Sequence, residues 1–233
     1  MVAVFKRELK SYFHNPIGFV ILAVFTFFSG MFFSVIYESG TPSVEGVISV
    51  MSTISVFATP FITMRLLSED RRQKVDQVLL TAPVKISSIV FGKFLAAFAL
   101  FAVGFAPTLV FQFIVASYVS LNWGIYFYAL FGVLLLGAVM ISIGMFLSSL
   151  TESPVVSAAL TFAVFLLIML LGSFVQTNDS AFLAVINSAI SFIDRFSNFT
   201  SGIFNFADVF YMISLTGVFT FLTICSVNKR RWA

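Results

Sequence analysis

Few residues in this sequence could do chemistry, and their spacing is informative mainly through what it excludes. His14 is the sole histidine and Cys225 the sole cysteine among 233 residues. No histidine-based acid–base pair, disulfide framework or thiolate metal site can be assembled from them within one chain. His14 sits among lysine, arginine and aromatic residues, a setting that suits a capping or lipid-facing role. The eight methionines are dispersed and form no copper or haem box. Gly92-Lys93 matches the closing pair of a phosphate-binding loop, but Ser87 stands where the first glycine belongs. Phe94 replaces the following Ser or Thr, and no glycine-rich turn precedes the pair. If nucleotide drives this protein, another chain binds it. A serine–lysine hydrolase stays open only through Lys85 and Lys93. The chain is not expected to be an enzyme.

The densest group of ionisable side chains is residues 65–85, RLLSEDRRQKVDQVLLTAPVK. Val75, Val78, Leu79 and Ala82 recur at helical spacing and form one apolar ridge, with charged and amide residues on the other faces. Pro83 closes the run where a helix could not easily continue. An amphipathic helix with such a ridge is suited to docking onto a partner. An ordinary solvated loop that only sets topology fits the spacing as well.

Composition places this stretch in its surroundings. The chain is 60% hydrophobic and only 10% charged, against about 25% charged in soluble domains. It reads as an all-α integral membrane protein. The net charge of +3 comes from basic residues beside apolar runs, so topology explains it better than nucleic acid does. The 32 phenylalanines follow no repeat and read as lipid-facing and packing mass.

Residues 1–15 form an interfacial helix, with Val4, Phe5, Leu9, Tyr12 and Phe13 on one side and Lys6, Arg7, Glu8 and Lys10 largely on the other. Six spans follow, at residues 17–37, 46–64, 88–118, 125–150, 154–175 and 209–227. The first is too long for a signal-peptide core, and no small-residue cleavage site follows it. Pro60 is expected to kink the second span and Pro107 falls inside the third. Residues 65–86 are the charged cytoplasmic segment. Residues 176–208 form an external helical segment in which Phe182, Ile186, Ala189, Ile193 and Phe196 share a helix face. With six spans, every lysine and arginine except Arg195 falls on one side, which the positive-inside rule makes cytoplasmic, together with both termini.

The spans offer almost no ionisable group, and such groups ordinarily mark ion or proton coupling. At mid-membrane only Gln112, serines, threonines and glycines are available. That argues against an ion-coupled carrier. A membrane anchor or assembly subunit, recruiting a cytoplasmic partner through the charged helix, stays open. Gly132, Gly137 and Gly144 are read as ordinary close-packing positions. Asn178-Asp179-Ser180 and Asn198-Phe199-Thr200 are glycosylation sequons of the kind that chance produces often.

The run SEDRRQKVDQVLLTAPV, followed by GKF at residues 92–94, resembles the signature after the second span of ABC-2-type transporter permeases. The N-terminal FKRELKSYFHNPIGF resembles the family's interfacial helix and proline before span one. In flavour the chain is similar to the short permeases of the gliding-motility and copper-enzyme-maturation type. Asp70, Arg71, Arg72, Leu79, Leu80 and Pro83 match the family pattern, with Glu69 beside its acidic position, while Lys74-Val75 replaces its common Gly-Thr pair. The resemblance implies a permease subunit of an ABC exporter in a prokaryotic plasma (inner) membrane. A separate cytoplasmic ABC ATPase subunit would carry ATP and Mg, with no cofactor on this chain. A second permease chain, identical or related, would complete the assembly in the lipid bilayer. An external accessory protein is possible, and nucleic acid is not a partner. The resemblance assigns ATPase coupling to the segment 65–86, through Glu69, Asp70, Arg71, Arg72, Val75, Val78, Leu79 and Pro83. A secondary coupling turn would lie at Thr151, Glu152, Ser153 and Pro154.

Overall fold

The computed structural model describes residues 1–38, 43–72, 85–118, 123–177, 192–203 and 205–231. Among the described residues every regular element is helical, and six apolar stretches are long enough to cross a hydrocarbon core of about 30 Å. The chain is a multi-pass membrane protein.

Helix α1 (Val2–His14) ends because Asn15 precedes a proline and is held extended, at φ −94° and ψ 134°. Pro16 then opens α2 (Pro16–Glu38), where a missing backbone N–H costs nothing. The turn is tight: a Cβ on Gly18 would meet the backbone carbonyl of Tyr12. The chain returns through α3 (Val44–Thr63), which contains Pro60, and ends in a bend leading to the short α4 (Ser68–Arg72). In α3, Ser55, Thr59 and Thr63 donate to the carbonyls of Met51, Ser55 and Thr59 at 2.8, 2.6 and 3.0 Å. These buried hydroxyls are satisfied by their own helix and need no partner helix.

The third crossing is two helices, α5 (Ile86–Gly104) and α6 (Ala106–Ala116). Pro107 in the first turn of α6 cannot continue the hydrogen-bond ladder of α5, so the path breaks at Phe105. Phe25, Phe101 and Phe105 pack around the break with ring centroids 5.1–5.9 Å apart.

Helix α7 (Trp123–Leu150) is the buried centre of the bundle, flanked by α3, α5, α8 (Pro154–Thr177), α9 (Phe192–Thr200) and α10 (Phe206–Arg231). Gly132, Gly137 and Gly144 of α7 face Phe199, Phe101 and Thr63 of this same chain. They are therefore spent on packing within the chain. Helix α9 ends in a Schellman turn: Gly202 takes φ +74°, with Ile203 N–H donating to Asn198 at 3.0 Å and Gly202 N–H to Phe199 at 3.2 Å. Of the external segment read from sequence, Phe182, Ile186 and Ala189 lie outside the described residues.

The Gly137 contact predicts its own test. Gly137→Ala, which pushes a methyl into the Phe101 ring, should lower stability in detergent by about 1–3 kcal/mol. Gly30→Ala, with no neighbour within 4 Å of the new methyl, should be neutral or slightly stabilising. Denaturant unfolding of the two variants in parallel checks this.

Candidate functional site

At one end of the bundle, α1, α4, the start of α5 and the turn between α7 and α8 meet in a charged junction. Its centre is Lys93, about two turns into α5 and 1% exposed. Its ammonium Nζ lies 3.0 Å from Glu8 Oε1 of α1 and 2.8 Å from Asp70 Oδ2 of α4. Glu8 also accepts from Arg7 at 2.7 Å. The two carboxylates are themselves mostly buried, at 15% and 18% side-chain exposure. Burial pushes the Glu8 carboxyl upward, but Lys93 and Arg7 outweigh it and hold the group below the usual carboxylate range.

Two further contacts fix the approach of α1 and α4. The Tyr12 hydroxyl donates to the Ile62 carbonyl at 2.8 Å. Burial, and then the Glu8 charge, push that phenol far above its ordinary range, so it remains a donor. Ser148 of α7 accepts from the backbone N–H groups of Leu67 and Ser68, at 3.2 and 3.1 Å, and donates to the Met64 carbonyl at 3.3 Å. A side chain from another helix thus caps the start of α4, where the N–H groups have no partner within the helix.

Of the residues singled out from sequence, Glu69, Asp70, Arg71 and Arg72 form α4 with Ser68. Asp70 points inward to Lys93, Glu69 pairs with Arg65 at 3.4 Å, and Arg72 is exposed. Arg71 reaches Glu152 Oε1 at 2.8 Å. Glu152 lies with Thr151 and Ser153 in the turn before Pro154, which opens α8. The structure therefore joins the primary segment to the secondary turn. Glu152 is 75% exposed, so this pair holds geometry at little energetic gain, about 0–1 kcal/mol. Val75, Val78, Leu79 and Pro83 lie outside the described residues.

Glu8, Tyr12 and Ser148 were not legible as site residues, and Lys93 was weighed from sequence only for other chemistry and as part of the family signature. The available signal was Lys93 itself, a lone cation leading into a long uncharged run, with acids available in two otherwise basic segments. His14 contacts the Lys10 carbonyl at 3.2 Å. Among the described residues no three His, Cys, Asp or Glu side chains converge as a metal site would require.

The opposite end carries a smaller cluster. Asp208, buried in the first turn of α10, accepts from Arg195 at 2.8 Å and Asn198 at 2.9 Å, and Arg195 stacks 4.2 Å over the Tyr211 ring. The Asn198 amide is thus engaged by Asp208 within its sequon.

A helical multi-pass membrane protein with a short charged helix clamped at one end is the class that fold and junction define. Residues 1–186 match the ABC-2 type transporter family, and the chain belongs to it. It is the membrane-spanning permease of an ABC transporter. The match takes in the first five crossings and the whole charged junction. A search of the curated proteins finds no match.

Lys93→Met would leave two buried carboxylates facing each other without their cation. Loss of one partner from a buried pair costs about 3–5 kcal/mol, and the partial exposure of both acids favours the lower figure. The penalty should depend on pH. Because Glu8 is held below its unfolded value, its contribution is complete above the ordinary carboxylate range and is lost as pH falls from that range through the lower folded value. Unfolding in detergent should therefore show the full gap between wild type and Lys93→Met near pH ~7, narrowing toward pH ~3.

Proposed function

We propose that this permease is the transmembrane subunit of an exporter powered by a separate ATPase, which docks on α4 and the segment after it. ATP and Mg belong to that partner, and this chain catalyses nothing itself. The observation that carries the reading is the clamping of α4. A docking element must pass a push into the bundle, and a loosely tethered loop would absorb it. Here α4 follows α3 after a short bend and is tied to α5 through Asp70–Lys93, to α7 through Ser148, and to the α7–α8 turn through Arg71–Glu152. Displacement of α4 is therefore shared by four crossings.

The exposed Arg72 and the ridge expected from the spacing of Val75, Val78 and Leu79 would supply the contact surface, with Pro83 expected to close it. The Thr151–Pro154 turn provides a second, smaller contact. Lys6, Arg7, Lys10, Arg65, Arg71, Arg72, Lys85 and Lys93 lie at the charged end, which by the positive-inside rule supports a cytoplasmic position for it; the family resemblance supports a prokaryotic inner membrane. Permeases of this family typically work as pairs with ATPase subunits, and a second permease chain would complete the path. Helix α9 at the far side would face any external accessory protein.

The test is the complex purified through a tag on this chain. A partner carrying a phosphate-binding loop is expected in stoichiometric amount, with ATPase activity stimulated by the permease. In a Val78→Asp, Leu79→Asp double variant, stimulation should fall to the rate of the ATPase alone while the spans stay folded. Stimulation unchanged in that variant, or a chain that purifies without any ATPase, would overturn the reading.

A further inference from the structure

Two cavities share Ile17 in their linings. The first, about 290 Å³, opens among Arg7, Ser11 and Tyr12 of α1, Arg65 after α3, and Glu69 and Asp70 of α4. The second, about 600 Å³, is a half-open cleft between α2 and α3 with an entirely apolar lining. It runs from Ile17 to Phe28 along α2 and from Ile54 to Met64 along α3, with Phe57 and Phe61 as walls and Ala58 at its floor. Ile17 lines both, and Met64 of the cleft precedes Arg65 of the polar cavity.

We propose that the pair forms one binding site for a membrane phospholipid whose headgroup carries both a phosphate and a primary ammonium. Depth argues for a lipid. Ile17 to Phe28 spans about 16 Å at about 1.5 Å per residue, close to one leaflet of a core about 30 Å thick. The cleft is thus as deep as one acyl chain's leaflet and ends in polar groups at headgroup level. The surface of a neighbouring apolar helix would fill the cleft but would offer nothing to the cavity beyond it.

Charge selects the headgroup. Arg7 and Arg65 stand beside Glu8 and Glu69 at 2.7 and 3.4 Å, and Asp70 adds a third carboxylate whose charge Lys93 offsets from behind. The cavity presents both signs in nearly equal number. A phosphate alone would meet guanidinium groups already shared with acids, whereas a phosphate with a neighbouring ammonium satisfies both. An ammonium also donates up to three hydrogen bonds to carboxylate oxygens, which a quaternary amine cannot do.

Native mass spectrometry of the purified chain, titrated with phosphatidylethanolamine or phosphatidylglycerol of identical acyl chains, tests the site. Wild type should retain the ethanolamine lipid about tenfold more tightly, the size of one charge-assisted hydrogen bond. Ala58→Phe, which fills the cleft floor, should abolish that adduct. Val24→Phe, on the α2 side of the cleft, gives the same reading should Ala58→Phe fail to fold. Glu69→Gln, which removes a carboxylate able to receive the ammonium, should erase the preference between headgroups. Equal binding of the two lipids, or an adduct that survives both cleft-filling variants, would overturn the proposal. So would conversion of a dimer to a monomer by those variants without loss of lipid, since the cleft would then be a contact between chains.

Discussion

The Lys93 ammonium has to be neutralised where it sits, and most of this molecule's charged end is arranged to do so. An isolated ion taken out of water costs several kcal/mol even after relaxation. Lys93 cannot reach water past Gly92 and Phe94, because α1 lies across it, with Val4 packed on Gly92. The cost is offset by two carboxylates from two other elements, Glu8 and Asp70. One cation therefore holds α1 and α4 against the same crossing. Apolar side chains of equal volume could have stabilised that contact as well or better. They could not have fixed its register. In a bilayer, lipid tails compete evenly with apolar side chains, so polar contacts and close packing decide where one helix stands against another.

Close packing does the corresponding work deeper in the bundle. Helix α7 places small residues where rings from α5 and α9 must approach, Phe101 against Gly137 and Phe199 against Gly132. The hydroxyls of α3 bond back to their own carbonyls. Gln112 is the exception at depth, buried with no hydrogen-bond partner among the described residues. The central helices are thus positioned by shape, and the two ends by charge: Lys93 with its acids at one, Asp208 with Arg195 and Asn198 at the other.

How much of this the sequence discloses follows from the range of each interaction. The crossings were legible because hydrophobic length is a local property: the spans read at residues 17–37 and 125–150 correspond to α2 at Pro16–Glu38 and α7 at Trp123–Leu150. Membership of the ABC-2 family was legible because its signature is contiguous. The break at Phe105 was only half legible, since Pro107 marks where a ladder must fail but not whether the crossing resumes in line. The junction was not legible. Glu8 and Lys93 are 85 residues apart, as the Ser148 cap is 80 from Ser68, and no periodicity in one chain reports a pairing at that distance. Lys93 was visible in a failed phosphate-loop match, as a candidate serine–lysine base and in the GKF of the family signature, all readings of its neighbours in sequence when its partners are neighbours in space.

The junction and the proposed lipid cavity share Glu8 and Asp70, and this sharing has a thermodynamic consequence. Asp70 belongs to α4, so a headgroup ammonium drawn to it competes with Lys93 for the same oxygens. A lipid that binds differently to two positions of α4 shifts the balance between them by its difference in affinity, and no further. Linkage then runs both ways: a partner that pulls on α4 alters lipid affinity by the same factor as the lipid alters the partner's. The Tyr12 bond to Ile62 and the Ser148 cap make no contact with Asp70's carboxylate. They would hold α1 and the start of α4 in place while that carboxylate changes partners. With such a lipid bound, the contact that changes partners would be Asp70–Lys93, while the two sets of hydrogen bonds beside it would stay as they are.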